Sequence, residues 1–223
     1  MINDASSVDR RFGALVRLLA IDSAEGAGSA ALEGHDLHLA LKGLAFDIPA
    51  FLRTLLVADG TVTMAIEAYY AEPVEVVTIN QSLAKLPASL PSLHSEKGEE
   101  VLYREVMLRG CQSARVYASA YSLIRKAAVG EVLYKELVAE RVGIGTLLRN
   151  TAKGSYREIL KLRSGGLDGE LVDCEHQLFD NAVVAHENMD HRIVNRTYCV
   201  YLDSNPGILI TEVFPVSPYL AEA

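Results

Sequence analysis

The chain has 223 residues, enough to bury a full core. Its residues are 50% hydrophobic and 22% charged, which excludes a globally disordered chain. With 21 Lys and Arg against 29 Asp and Glu the formal net charge is −8, a balance that disfavours nonspecific nucleic-acid binding.

Val8, Phe12, Leu15, Val16 and Leu19 fall at helical spacing and predict an amphipathic helix over 7–20, broken by the Gly- and Ala-rich piece Glu25–Ala30. Pro49 opens a second helical segment, Phe51–Val57, which stops at Asp59-Gly60. A third helix is expected over about Thr63 to Tyr70, with Thr61 or Thr63 as N-cap and Glu67 as a capping-box acid. After Pro73 the texture changes to β-branched alternation, so Val74–Ile79 reads as a strand, and Pro87, Pro91 and Gly98 make 86–98 a loop. Two strands follow, 101–109 and 114–124, joined by hairpin material at Gly110–Ser113. Helical spacing returns from Glu131 to Glu140 and continues after Gly143-Ile-Gly145. Tyr156–Leu162 is a candidate strand, 164–191 is a polar insertion, and the last strands belong near 196–203 and 207–214, turned by Asp203–Gly207.

Helices first, then consecutive strands with hairpin-length turns, predict an α+β fold in which helices pack on an antiparallel sheet. One domain over 1–223 is expected, with 1–49 as an N-terminal helical extension packed over the sheet. Cys111, Cys174 and Cys199 form no CxxC pair and leave an odd count, the pattern of reduced thiols in a cytoplasmic protein. The start Met1-Ile-Asn-Asp4 carries an acid where a secretory leader carries basic residues, and no apolar run approaches the ~20 residues of a membrane span. A cytoplasmic protein without membrane or nucleic-acid partners is the expectation.

The most informative stretch is Gly207–Pro215, which sets Glu212 among Ile, Leu, Val and Phe. A buried acid costs several kcal/mol if charged and unpaired, so it must be protonated, paired or hydrogen-bonded. Arg104, in the apolar run Val101–Leu108, is the candidate partner, and the two would hold a small carboxylic acid between them. Simple alternation competes with this: on a half-buried strand either residue is an ordinary surface charge. Asp59–Thr63 and Val142–Thr146 are turn-to-helix elements whose first amides either bind an anion or are ordinarily capped. Gly143-Ile-Gly145 matches neither a P-loop nor a GxGxxG fingerprint. The insertion carries Cys174, Glu175, His176, His186, Glu187, Asp190 and His191, but His186 and His191 stand at i, i+5 and miss the i, i+4 spacing of helical metal ligands. A solvated polar loop is the better reading, and no GxSxG elbow supplies a nucleophile.

Asp59-Gly-Thr-Val-Thr63, Tyr103–Leu108, Val142–Gly145, Arg196-Thr-Tyr198 and Ile210–Pro218, in this order, resemble the chorismate pyruvate-lyase (4-hydroxybenzoate synthase) family over about residues 50 to 220. The resemblance implies an antiparallel sheet with helical flaps over an internal pocket. It implies that Arg104 and the backbone amides of Val62 and Ile144 bind the ring carboxylate, and that Glu212 contacts the oxygen at the far end of the ring. The implied reaction removes pyruvate from chorismate without metal or organic cofactor, with a desolvated Glu212 of raised pKa as general acid toward the ether oxygen. Three departures accompany the likeness. The strand after the hairpin has Ser119 or Ala120 where an Arg is familiar, Val62 stands where a Met is familiar, and the 164–191 insertion is longer. Arg149, Arg157 or Arg196 would have to replace the missing Arg. A related enzyme acting on another aromatic or enolpyruvyl acid is the first alternative. A non-catalytic module akin to the effector-sensing domains of transcription regulators is the second. Against the latter, the first 50 residues carry no clear helix-turn-helix with a basic recognition helix.

Overall fold

The computed structural model describes residues 5–24, 34–60, 62–139, 143–151, 154–165 and 192–220. Its helices are α1 (Ala5–Ala24), α2 (Gly34–Lys42), α3 (Ala50–Val57), α4 (Val62–Tyr70), α5 (Lys126–Val138) and α6 (Ile144–Thr151). Its strands are β1 (Val74–Lys85), β2 (Glu100–Gly110), β3 (Val116–Ile124), β4 (Ser155–Gly165), β5 (Ile193–Leu202) and β6 (Asn205–Pro215). All strand pairings are antiparallel, in the order β1-β2-β3-β6-β5-β4. Two meanders, β1-β2-β3 and β4-β5-β6, thus meet where β3 pairs β6, and α5 and α6 carry the chain from the centre of the sheet to its far edge.

Period-two alternation decides what each face of the sheet meets. Tyr103, Tyr121, Leu123, Cys199, Leu209 and Val213 pack against Phe12, Leu15, Val16 and Leu19 of α1, the face its helical spacing marked as apolar. On this side Arg11 Nε lies 3.0 Å from Glu105 Oε1, and the Tyr103 hydroxyl donates to the same oxygen at 2.6 Å, so a buried charge pair fastens α1 to β2. The opposite face is covered by two groups of helices. Leu52, Leu55 and Leu56 of α3 and Ile66 of α4 cover Leu108, Tyr117 and Phe214, while Leu133 and Leu137 of α5 and Leu147 and Leu148 of α6 cover Ile124, Val200 and Ile208. A cavity remains between the two groups.

Within the helical stretch expected over 1–49 lies the short α2, with Leu37 and Leu41 packed against the core. Two expectations need correction. Helix α4 starts at Val62, so Thr63 lies inside it; Thr61 falls outside the described residues. Glu67 does not close a capping box: its Oε1 accepts the Val74 amide at 3.0 Å, joining the end of α4 to the start of β1. The expected break at 25–30 and most of the 164–191 insertion, with its Cys, His and acidic residues, also fall outside the described residues. No helix among the described residues is long and apolar enough to cross a membrane.

Candidate functional site

The cavity floor is the sheet. Arg104, Val106 and Leu108 of β2 line it, with Ala118, Ala120 and Ser122 of β3, Ile210 and Glu212 of β6, Tyr198 and Val200 of β5, and Arg157 of β4. Gly60, Val62 and Thr63 at the start of α4, and Gly143, Ile144 and Gly145 at the start of α6, form its roof. The space between floor and roof is partly open to solvent and holds several times the room that one buried water requires. That is the scale of a small organic molecule.

Arg104 and Glu212 both face this cavity, but they are not each other's partner. Across β2, β3 and β6 the register runs Arg104, Ser122, Ile210, which leaves Glu212 two strands and two residues away, roughly 12 Å between Cα atoms. The residue directly opposite Glu212 on β5 is Arg196. Arg196 Nε donates to Glu212 Oε2 at 2.7 Å, and the Tyr198 hydroxyl donates to Oε1 at 3.0 Å. The expected Arg104–Glu212 pairing is therefore replaced by a neighbouring cross-strand pair. The β5–β6 hairpin register was the signal able to find it, because residues facing across a short turn are fixed by the turn itself.

Arg196 also reaches the flap. Its Nη1 donates to the carbonyls of Leu55 at 2.7 Å and Ala58 at 3.0 Å at the C-terminus of α3, where the Leu55 oxygen also accepts the Ala58 amide. Burial opposes the charge of this guanidinium, yet the Glu212 carboxylate and the Tyr198 oxygen outweigh it and raise its pKa. The Tyr198 phenol is pushed far above its usual range, first by burial and then by the negative charge of Glu212. Both Glu212 oxygens thus act as acceptors, one from the Arg196 Nε–H and one from the Tyr198 hydroxyl. The acid role expected of Glu212 does not fit this pattern of hydrogen bonds.

Arg104 is 1% exposed, and its Nη2 lies 3.5 Å from Thr78 Oγ1. The same cavity is bordered by the N-termini of α4 and α6, whose first amides lack intrahelical acceptors and whose dipoles favour an anion. Val62 and Ile144 are the first residues of these helices. Of the two alternatives for the missing strand Arg, Ala120 faces the cavity, while Ser119 belongs to the α1 face of β3. Arg157 is the second cation lining the cavity among the described residues, and its Nη1 meets Asp59 Oδ1 at 3.1 Å. Arg196 is committed to Glu212 and α3, and the side chain of Arg149 lies outside the described residues. Among the described residues no group of three or more His, Cys, Asp or Glu side chains is placed to hold a metal ion.

The sequence model of the family described as Chorismate pyruvate-lyase Rv2949c-like matches residues 56–223. A relative from Mycobacterium leprae (strain TN) described as chorismate pyruvate-lyase is 26% identical over 163 residues, covering 73% of each chain. Among solved structures, PhnF from Mycobacterium smegmatis superposes with a TM-score of 0.50 at 11% identity, over 72% of this chain and 66% of PhnF. The ligand-binding domain of a GntR-family transcriptional regulator from Bordetella bronchiseptica gives a TM-score of 0.45 at 11% identity, over 64% of this chain and 85% of that one. At such identities the likeness to solved structures concerns the fold alone.

Proposed function

We propose, from the premise that this chain belongs to the Rv2949c-like chorismate pyruvate-lyase family, that it eliminates pyruvate from chorismate and releases 4-hydroxybenzoate. The observation that carries the reading is a cavity that brings Arg104 and the starts of α4 and α6 together with the Glu212–Tyr198 pair. The reaction breaks the ether bond between ring and enolpyruvyl group, takes the proton from the adjacent ring carbon, and returns a proton to the enolpyruvyl methylene. Atoms therefore balance without an oxidant, and aromatisation supplies driving force.

The protein's task is to orient the substrate and manage the proton. Arg104 and the amides of Val62 and Ile144 hold the ring carboxylate by charge-assisted hydrogen bonds. Glu212, kept as an acceptor by Arg196, receives the ring hydroxyl at the far end. Tyr198, which retains its proton, turns its hydroxyl from Glu212 to the ether oxygen as negative charge grows there.

The test is incubation of the purified protein with chorismate and chromatography of the products. Equal amounts of 4-hydroxybenzoate and pyruvate are expected, with loss of both for folded Arg104→Ala. Survival of chorismate in the presence of folded wild-type protein removes the catalytic reading. If 4-hydroxybenzoate then still raises the melting temperature, the cavity belongs to a binding protein of the same fold.

A further inference from the structure

The substrate proposed above is a dicarboxylate, and the groups assigned so far hold only one of its carboxylates. The other anion must be met, because the cavity lining is more apolar than polar and an uncompensated charge against it is costly. The position on β3 that faces the cavity at this level is Ala120, so that strand offers no cation. Arg157 does. Its place follows from the register: Arg157 on β4 faces Val200 on β5, one pleat beyond the row that joins Ile159, Tyr198, Ile210, Ser122 and Arg104. The two cavity cations thus stand four strands apart, roughly 20 Å between Cα atoms, and long side chains reaching inward close that gap to the length of a substituted ring. Tyr198 lies between them on β5, with Arg157 close enough for its charge to act on the phenol.

Arg157 already has an anionic partner in Asp59, on the loop that joins α3 to the flap helix α4. The two ends of this contact differ. The Arg157 side chain is 18% exposed and borders the cavity, whereas Asp59 is 68% exposed and approaches from outside. An ion pair with one end so open to water contributes little, about 0–1 kcal/mol, and exchanges readily. A ligand carboxylate arriving from the cavity side meets the less exposed face of the same guanidinium, with less water in competition.

We infer that Arg157 is the subsite for the second carboxylate of a ring dicarboxylate, and that Asp59 is an internal carboxylate occupying that subsite until the substrate displaces it. The inference rests on the lyase reading and sharpens it. The dicarboxylate substrate engages Arg104 and Arg157, while the monocarboxylate product engages Arg104 only, so Asp59 recovers Arg157 once the pyruvyl unit departs. The product is then held by one anion contact in place of two.

The experiment is calorimetric titration with two unreactive probes, 4-hydroxybenzoate and 3-(carboxymethoxy)-4-hydroxybenzoate, which differ by an ether-linked carboxylate. Arg157→Gln is expected to weaken the dicarboxylate by roughly 10- to 100-fold, the loss of one charge-assisted contact, and the monocarboxylate by less than about threefold. Arg157→Lys restores part of the affinity, and Asp59→Asn tightens the dicarboxylate severalfold by removing its competitor. Melting temperatures of these variants stay near wild type, since the pair is exposed at one end. Equal effects of Arg157→Gln on both probes, or none on the dicarboxylate, overturn the subsite while leaving the lyase reading intact. Failure of both probes to bind wild type, or full binding to Arg104→Ala, overturns the two together.

Discussion

The Arg196–Glu212 pair lends itself to a double-mutant cycle in urea, with Arg196→Gln, Glu212→Gln and the double variant. Arg196 is 1% exposed and Glu212 8%, with 2.7 Å between Nε and Oε2. Removing one member of a buried pair leaves the other uncompensated, at a cost of about 3–5 kcal/mol. Arg196→Gln falls toward the upper end, because it also removes the bonds to the carbonyls of Leu55 and Ala58. Glu212→Gln falls toward the lower end, because the guanidinium keeps those carbonyls. In the double variant no buried charge is left without a partner, and the principal loss is the pair of carbonyl bonds, about 1–3 kcal/mol. The double variant is therefore expected to be more stable than the sum of the singles by about 5–7 kcal/mol, read from the shift in urea midpoint at constant slope. Additivity to within about 0.5 kcal/mol would refute the pair as an energetic unit, and with it the claim that Arg196 compensates Glu212.

Glu72 supplies a second prediction. Hydrogen bonds from the Tyr117 hydroxyl, then from the Ser113 hydroxyl and amide and the Gln112 amide, hold its carboxyl down to about 2 from a usual 4.5. A carboxyl depressed on folding stabilises the native state above its unfolded pKa and loses that contribution as pH falls toward the folded value. Stability should decline between about pH 4.5 and 2, and Glu72→Gln should flatten that part of the profile in thermal melts; an unchanged slope would sink the assignment. Gly110→Ala is expected to cost about 1–3 kcal/mol, because a Cβ there would lie 2.5 Å from Glu72 Oε1 and 2.6 Å from Ser113 Oγ; the loss should shrink in Glu72→Ala. The Cys199 thiol is buried, and burial followed by the charge of Glu158 pushes its pKa up to about 12, whereas Cys111 is exposed. Brief alkylation of native protein read by mass spectrometry should mark Cys111 and spare Cys199; rapid labelling of Cys199 would contradict its place beneath α1.

The elements were legible where the chain's period matched its surroundings. Alternation from Val74 and the Gly110 hairpin predicted β1, β2 and β3, and the 203–207 turn joined the last two strands, because one-sided burial imposes period two. The order of β3 beside β6 was not legible, since no local signal states which meander edge meets which. The same blindness misassigned the partner of Glu212: Arg104 is correctly placed on the cavity face, but partnership depends on register, and register gave Glu212 to Arg196. Glu72 has a role that is not legible in the sequence. It follows Ala71, whose φ of 53° turns the chain after α4, and nothing in the local sequence announces that the β2–β3 hairpin will close around it.

The arrangement of charge separates the floor of the cavity from its roof. Glu212 and Arg104 stand on paired strands, where the ladder fixes their backbone, while Val62, Ile144 and Asp59 belong to helix starts and a loop. Such segments open at lower free energy than a central strand. Two guanidiniums anchored on the sheet hold the α3–α4 loop from either side: Arg196 through the carbonyl of Ala58, and Arg157 through the carboxylate of Asp59. The first contact is buried and is shared with Glu212; the second is half open to water. If the flap must part to admit a ring, the Asp59 contact is the one to yield, because breaking the other would leave a buried guanidinium N–H without its carbonyl acceptor. A mouth that opens on the Arg157 side also brings the incoming anion first to the cation whose partner is easiest to displace.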